Sequence, residues 1–528
     1  MPNTGKPSQD CHLCRQRRVK CDLGRPGCQR CVKYGVECTG YRDQTELVFR
    51  NANPSTVKKR KKRTAKRDDA EANAASSSHS SGSTTPAAST HGELSSPPIF
   101  SHSTDLIPNP KRPDSLWVTL PPSLSEHWTS HSVPILLNVY STLDFLNNAY
   151  RANPRDGPLV WAAHLFSRTY VTNIRYPTSM HKDSEAETQR ELGTYLGRTL
   201  SSVGAALKSS QGAFRDDVLA TVWILANYEL LVGSLSRMEP LSPWHLHARG
   251  LYSLLKARGN ALLYSDAGRT AFWPCYNMVQ IQALVSNTEC PPESDEWLGI
   301  IRNNLQDGEA YSLHVSIFIT KCAHVQARIL AILRLCDFRA AESEYQTLVS
   351  QFTEAEEELD EHLAASNRYS HDLDSYMNNL YSSAIVKGYH YIQLLANFLT
   401  HYPASKLSLE DLGAQRARCL QKTRRAAQDI INSVPWILGP LACGKDKSPK
   451  VLFDAMKMIW PLTSVYVLST TLPEQKSEAE AALIFIGKEI GVRQALNTYP
   501  GRFPLPLEAE QPLGVVGPDS SPWAEEVG

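Results

Sequence analysis

The chain lacks any stretch that reads as a leader, a membrane span or a catalytic fingerprint. Its first residues, MPNTGKPSQD, hold no apolar run, so no secretory signal is expected. The most apolar long stretch, Val451 to Thr470, is interrupted by Asp454, Lys457 and Pro461 and reads as a buried helix, so no membrane partner is expected. There is no G-x-S-x-G elbow, no P-loop, no H-E-x-x-H and no dinucleotide glycine fingerprint, which leaves an enzyme as the least favoured class. His245 and His247 are two residues apart and do not share a helix face. Convincing alternating strands are absent, which excludes a β-rich architecture.

Net charge is also scarce: 55 Lys+Arg against 54 Asp+Glu gives +1 over 528 residues. That balance hides an asymmetry. Residues 1–67 carry 18 basic and 5 acidic side chains, a net +13, which leaves −12 for the remainder. A basic head on an acidic body points to nucleic acid at one end. The length exceeds a usual single domain, and 42% hydrophobic residues allow a sizeable core, so two or more units are expected.

What the head does contain is cysteine. The stretch CHLCRQRRVKCDLGRPGCQRCVKYGVEC places Cys11, Cys14, Cys21, Cys28, Cys31 and Cys38 in a C-x2-C-x6-C unit that occurs twice. Paired C-x-x-C units at regular spacing mark a zinc site. Zinc takes four tetrahedral ligands, so two separate four-thiolate sites would need more thiolates than these six. Two ions are satisfied if two thiolates bridge, whereas one ion would leave thiols idle and break the repeat. A binuclear cluster is the favoured reading, and a disulfide framework, rare in reducing compartments, is the alternative. Both sites would be closed, which makes the metal structural. The remaining cysteines, Cys275, Cys290, Cys322, Cys336, Cys419 and Cys443, show no ligand spacing and read as free thiols.

In this stretch the sequence resembles the fungal zinc-cluster (Zn2Cys6) family of transcription regulators. The resemblance implies two Zn2+ ions per chain, with Cys11 and Cys28 bridging, Cys14 and Cys21 completing one site, and Cys31 and Cys38 the other. Pro26 also sits where that family usually has proline. Two zincs and six thiolates sum to a formal charge of about −2, which nearby cations offset. Each C-x-x-C is expected to open a short helix, with Arg15 and Arg18 on one face and Arg17 about 100° from Arg18. The resemblance further implies that the end of the first helix enters the major groove of double-stranded DNA and reads a CGG-type triplet. It places Arg18 at the base-contacting position, where the family more often has Lys, with Arg17 beside it. A guanidinium binds guanine O6 and N7 bidentately. Arg15, Lys20, Arg30 and Lys33 are read as phosphate contacts, which position without specifying sequence. The plainer reading of Arg17 and Arg18 is a solvated face that balances cluster charge, and His12 reads as a surface residue.

Beyond Cys38, the run Lys58, Lys59, Arg60, Lys61, Lys62, Arg63, Lys66 and Arg67 reads as a nuclear localisation signal, a phosphate-binding arm, or both. Residues 68–116 are rich in Ser, Thr, Ala, Pro and His and read as disordered. No sustained apolar heptads support a coiled coil there. From about Trp117 helical periodicity takes over. Helices are expected at Ile135–Tyr150, Pro158–Asn173, Glu185–Lys208, Asp217–Val232, Ser312–Leu335, Arg339–Ala365, Asp372–Thr400, Leu409–Ile431, Lys450–Ser469 and Lys476–Ile490. Asp217–Val232 reads as central to the core, and Pro291–Pro292, Pro435, Pro440 and Pro473 read as punctuation. The segment His247 to Gly259 resembles the H-x-x-G-L-x-x-L-L-x-x-R-G stretch of the helical fungal-specific regulatory domain. Leu251, Leu254 and Leu255 would be buried, the internal Gly250 would pack closely, and Gly259 would cap the helix.

The expected organisation is mostly α: a disordered N-terminus at 1–10, a DNA-binding cluster of two short helices at 11–42, a basic disordered linker at 43–116, a large helical regulatory domain at 117–500 and a flexible acidic tail at 501–528. The leading reading is a nuclear, sequence-specific regulator of RNA polymerase II genes. Its helical body would contact effectors, the transcription machinery or a second copy as a homodimer. The resemblance alone adds that such regulators often control metabolic or secondary-metabolite genes. The alternative is a helical interaction or ligand-binding scaffold whose zinc module contacts protein or RNA.

Overall fold

The computed structural model describes residues 11, 13–14, 19–24, 27–36, 38, 128–152, 157–176, 182–235, 242–365, 373–442, 449–497 and 505–513. Among them the regular elements are helices, with no strand. A short helix, α1 (Gln29–Lys33), belongs to the cysteine region. The helical body opens with α2 (Thr129–Val139), α3 (Asp144–Ala152), α4 (Pro158–Arg175) and α5 (Lys182–Ala206). It continues through α6 (Asp216–Val232), α7 (Pro243–Arg258), α8 (Asp266–Ser286), α9 (Ser294–Asn303) and α10 (Ala310–Leu335). Its second half holds α11 (Phe338–Ala365), α12 (Leu373–Thr400), α13 (Leu409–Ala442), α14 (Lys450–Val467), α15 (Pro473–Lys488) and the single turn α16 (Leu507–Glu510).

Two helices organise the body. DVLATVWILANYELLV is apolar on every face, and α6 is accordingly buried on nearly all sides against α3, α4 and α7. The second hub is α12, which packs on α10, α11, α13, α14 and α16. Every residue from Ser382 to Thr400 is buried. Its polar side chains must therefore find partners inside the protein. Ser383 Oγ donates to Asn379 O at 2.5 Å, and Asn397 Nδ2 donates to Ala509 O at 2.9 Å. Gly388 is where α12 meets α11: a Cβ there would lie 2.2 Å from the buried Phe352 ring.

The segment His247 to Gly259 folds as its apolar pattern implies. Leu251, Leu254 and Leu255 of α7 are buried, and Gly250 faces Val222 of α6, with 3.4 Å between Val222 Cγ1 and a built Cβ. Gly259 takes φ +68° after the last turn, and its N–H bonds to Leu255 O. Pro158, Pro243 and Pro473 each sit in the first turn of a helix, where no intrahelical N–H is needed.

Several sequence expectations need correction. The helix expected over Ile135–Tyr150 is two helices, because Tyr140 leaves the helical path and buries its ring. Its neighbours are Phe166, Trp223 and Phe453, at centroid distances of 5.4, 4.9 and 4.9 Å. Pro435 and Pro440 do not end a helix, since α13 runs on to Ala442. Pro274 and Pro461 likewise lie inside α8 and α14. Val451–Thr470 is helical as far as Val467 in α14, and α10 is a second long apolar helix. By length and composition α10 could cross a membrane, yet 61% of its most apolar window is buried inside the body, as in a core helix. Part of the tail expected to be loose is packed: Ala509 is fully buried, and Leu513 N–H donates to Thr400 Oγ1 at 2.7 Å. Residues 41–127, which include the expected localisation run and linker, lie outside the described residues.

Candidate metal centre

The cysteine region repeats in three dimensions with the same offset as in sequence. Cys14 N–H points at Cys11 Sγ at 3.4 Å, and Cys31 N–H points at Cys28 Sγ at 3.4 Å. Val19 N–H donates to Cys14 O at 3.0 Å, and Val36 N–H donates to Cys31 O at 3.1 Å. The C-x-x-C spacing thus turns first-turn amides towards sulfur in both halves, as at a helix N-terminus. In the second half the helix is α1, capped by Cys28 itself. It ends in a left-handed glycine, Gly35 at φ +69°. Gly35 N–H returns to Val32 O and Val36 N–H to Cys31 O, the paired bonds of a Schellman cap.

The halves are tied together by a residue that the sequence analysis passed over. Asp22, next to Cys21, accepts hydrogen bonds from Gln29 N–H at 3.0 Å and Arg30 N–H at 3.2 Å. Its carboxylate caps α1 from the other half of the repeat, and those amides hold it below the usual carboxylate range. Nothing local announces this contact. An acid directly after a ligand cysteine, facing a helix start seven residues on, is the only signal.

The sulfurs converge. Cys11 Sγ lies 3.6 Å from Cys28 Sγ and 3.7 Å from Cys31 Sγ, and Cys14 Sγ lies 3.6 Å from Cys28 Sγ. None is bonded to another as a disulfide. Two sets of four emerge, Cys11, Cys14, Cys21, Cys28 and Cys11, Cys28, Cys31, Cys38, each with all sulfurs within 4.8 Å of one another. Cys11 and Cys28 belong to both. A zinc tetrahedron with Zn–S near ~2.3 Å has S···S edges of about 3.8 Å, so the spacing suits that metal. All but Cys38 are buried, and among the described residues the apolar side chains packed against them are Leu13 and Val19. Burial pushes the Cys11 thiol up to about 12 and Cys28 higher still. Burial also raises Cys21, but backbone amides including Leu23 N–H bring it down to about 7. Thiolates this crowded need a compensating cation.

Residues 9–47 match the family model of the fungal Zn(2)-Cys(6) binuclear cluster domain. The head of this chain is a zinc cluster of that kind. Its six cysteines bind two zinc ions. The match is confined to the cysteine region, and the described part of the body that follows is helical. Over 159 residues the chain is also 28% identical to an uncharacterized protein of Emericella nidulans. That match covers 28% of this chain and 32% of the relative, so the chain spans about a third of the relative's length. No solved structure matches the chain.

Of the cations assigned to nucleic acid, Lys20, Arg30 and Lys33 of the zinc cluster are exposed. Arg30 and Lys33 lie three apart on α1 and share a face. Arg15, Arg17 and Arg18 lie outside the described residues, as do His12 and Pro26. The repeat offset maps Arg18 onto Gly35, the position just after the end of α1. The zinc supplies folding free energy when bound, about 10–16 kcal/mol per ion in finger peptides. The chain's own groups do the rest: Asp22 and the cysteine-directed amides fix the helix starts, and Lys20, Arg30 and Lys33 are left facing solvent.

Proposed function

We propose that this chain is a nuclear regulator that reads CGG-type triplets in duplex DNA and acts on RNA polymerase II genes. The observation that supports it most is the pair of four-sulfur sets sharing Cys11 and Cys28, which marks a closed, rigid module carrying exposed cations. In this reading Cys11 and Cys28 bridge the two zincs, Cys14 and Cys21 complete one site, and Cys31 and Cys38 complete the other. The module lays the end of its first helix in the major groove. Arg18 contacts guanine with Arg17 beside it, while Arg15, Lys20, Arg30 and Lys33 hold phosphates. The basic run Lys58 to Arg67 adds nuclear import and further phosphate contacts. The helical body carries regulation, contacts to the transcription machinery and homodimerisation.

Selection of bound duplexes from a randomised pool, followed by titration of two variants, tests the reading. A CGG-type triplet is expected to be enriched. Arg18→Ala is expected to lose about 1–3 kcal/mol at guanine positions while keeping affinity for random DNA. Lys20→Ala is expected to weaken all sequences alike and to lower the salt slope by about one. No enriched triplet, or equal losses on specific and random DNA for Arg18→Ala, contradicts the assignment.

A further inference from the structure

The helical body holds a cavity of about 2240 Å³, partly open to solvent and larger than the ~300–1,000 Å³ of ordinary small-molecule pockets. It lies among α8, α12 and α14, with α6 and α7 contributing to its wall. Trp223, Trp244, Trp273, Trp460 and Tyr391 are the aromatic part of a mainly apolar wall, to which Met458 also belongs.

One group in the wall has no place in an ordinary core. Lys387, on the hub helix α12, is 6% exposed. Its Nζ donates to Leu284 O at the end of α8 and lies 5.0 Å from the Trp460 ring centre of α14. It therefore stands where all three principal wall helices meet. No carboxylate pairs with it among the described residues, although a buried ammonium without a counter-charge is costly. Its charged neighbours compound this: His390 on the same helix and Lys476 on α15 lie close enough for both lysines to hold His390 below its ordinary range, behind the larger effect of burial. Burial likewise lowers Lys387 itself, to about 7.

The wall as a whole is biased the same way. It holds six Lys or Arg residues and only three carboxylates. Two of those acids are already engaged, Glu309 with Arg269 at 2.6 Å and Asp454 with Lys457 at 3.0 Å. The third, Glu510, is exposed. The wall also contains buried polar atoms without a hydrogen-bond partner among the described residues, namely Trp244 Nε1, Asn277 Oδ1, Ser286 Oγ, Trp460 Nε1 and Thr463 Oγ1. Native interiors keep few such atoms, and each calls for a partner, such as a water or a bound guest.

We propose that this cavity binds an amphipathic organic anion, an apolar or aromatic body bearing one carboxylate or similar acid group, with the acid at Lys387 and the body against the tryptophan-lined wall. A cationic guest meets the wrong charge, and a strongly polar one such as a sugar phosphate would leave the aromatic surface unmatched. The inference holds whether or not the zinc cluster reads DNA, so either can fail alone.

The test uses the full zinc-loaded chain and four probes below their micelle concentrations: laurate, 2-naphthoate, dodecanol and dodecylamine. Binding is read by tryptophan fluorescence and by the thermal midpoint. At least one acid is expected to bind saturably and raise the midpoint, dodecanol to bind about 10- to 100-fold more weakly than laurate, and dodecylamine not to bind. Laurate alone assigns flexible-chain acids, and naphthoate alone assigns planar aromatic acids. Lys387→Met is expected to shrink the preference for the acid over its neutral counterpart, dodecanol for laurate and 2-naphthol for naphthoate, to less than about threefold. Retained binding of the neutral counterpart shows that the variant is folded. If Lys387→Met does not fold, Lys476→Met gives the same reading with a smaller change. Absence of saturable binding by both acids, equal binding of acid and neutral counterpart by the wild type, or an undiminished preference in the folded variant overturns the proposal.

Discussion

The zinc cluster and the helical body solve the same problem with opposite materials. In the body, burial is collective: apolar side chains from fifteen helices form one continuous core around α6 and α12. In the cluster, the buried side chains are Cys11, Cys14, Cys21, Cys28 and Cys31, with Leu13 and Val19 partly covering them. A module that small cannot bury enough apolar surface to offset the entropy of ordering its chain. Metal coordination takes the place of a core there, and the cysteines are inside because the ions are. The two regions should therefore fail by different routes, and each prediction below tries to make one fail without the other.

The largest effect is expected from removing the metal. Chelation, or Cys28→Ser, should abolish both the ordered cluster and specific DNA binding while leaving far-UV helicity nearly unchanged, because α2 to α16 contain no ligand of that site. Circular dichroism beside a DNA-binding assay checks this. The converse attack is on the α11–α12 contact. Phe352→Ala should destabilise the body by about 3–5 kcal/mol, and Gly388→Ala by about 1–3 kcal/mol through overpacking against the Phe352 ring. Zinc content should stay unchanged in both, and denaturant melts with metal analysis read the two quantities separately.

Acid should also separate the regions. Burial, with the Lys387 and Lys476 charges adding to it, keeps His390 neutral down to about 3. Burial and the His362 charge hold His314 at about 4. A histidine in the unfolded chain titrates near ~6.5, so as pH falls the unfolded state takes up these protons first. The body should lose stability from about pH 6.5 downward through the folded values, and His390→Gln should flatten that slope in thermal midpoints measured between pH 7 and 5. The smallest effect is expected at Asp22. Asp22→Asn weakens the acceptor that joins the halves of the repeat, so zinc should leave faster to a chelator in stopped-flow measurements while the stoichiometry holds.

The cluster was far more legible than the body. Six cysteines at fixed spacing announce a binuclear zinc site, and the chain offset between Cys14 and Cys31 reappears as matching hydrogen bonds. Asp22 was not legible, because its partners are amides from the other half-repeat and amides carry no sequence signal. In the body, individual helices such as Pro158–Arg175 followed from periodicity, since a stripe is a property of one helix. The helix Asp266–Ser286 escaped, with Pro274 inside it, and so did the continuation of α13 through Pro435 and Pro440. At Pro274 and Pro435, both half-buried, tertiary packing overrode the local penalty. The cavity was illegible for a related reason. It exists where α8, α12 and α14 leave space between them, and Lys387 reads in sequence as one polar residue in an apolar run.

The central claim is that two metal ions sharing the sulfurs of Cys11 and Cys28 stand in for a core at the head of this chain. Native mass spectrometry of the intact purified protein tests it most directly. The account predicts two zincs per chain with all cysteines at the mass of unlinked residues. One zinc per chain, or a metal-free chain lighter by the hydrogens lost to disulfides, would contradict it.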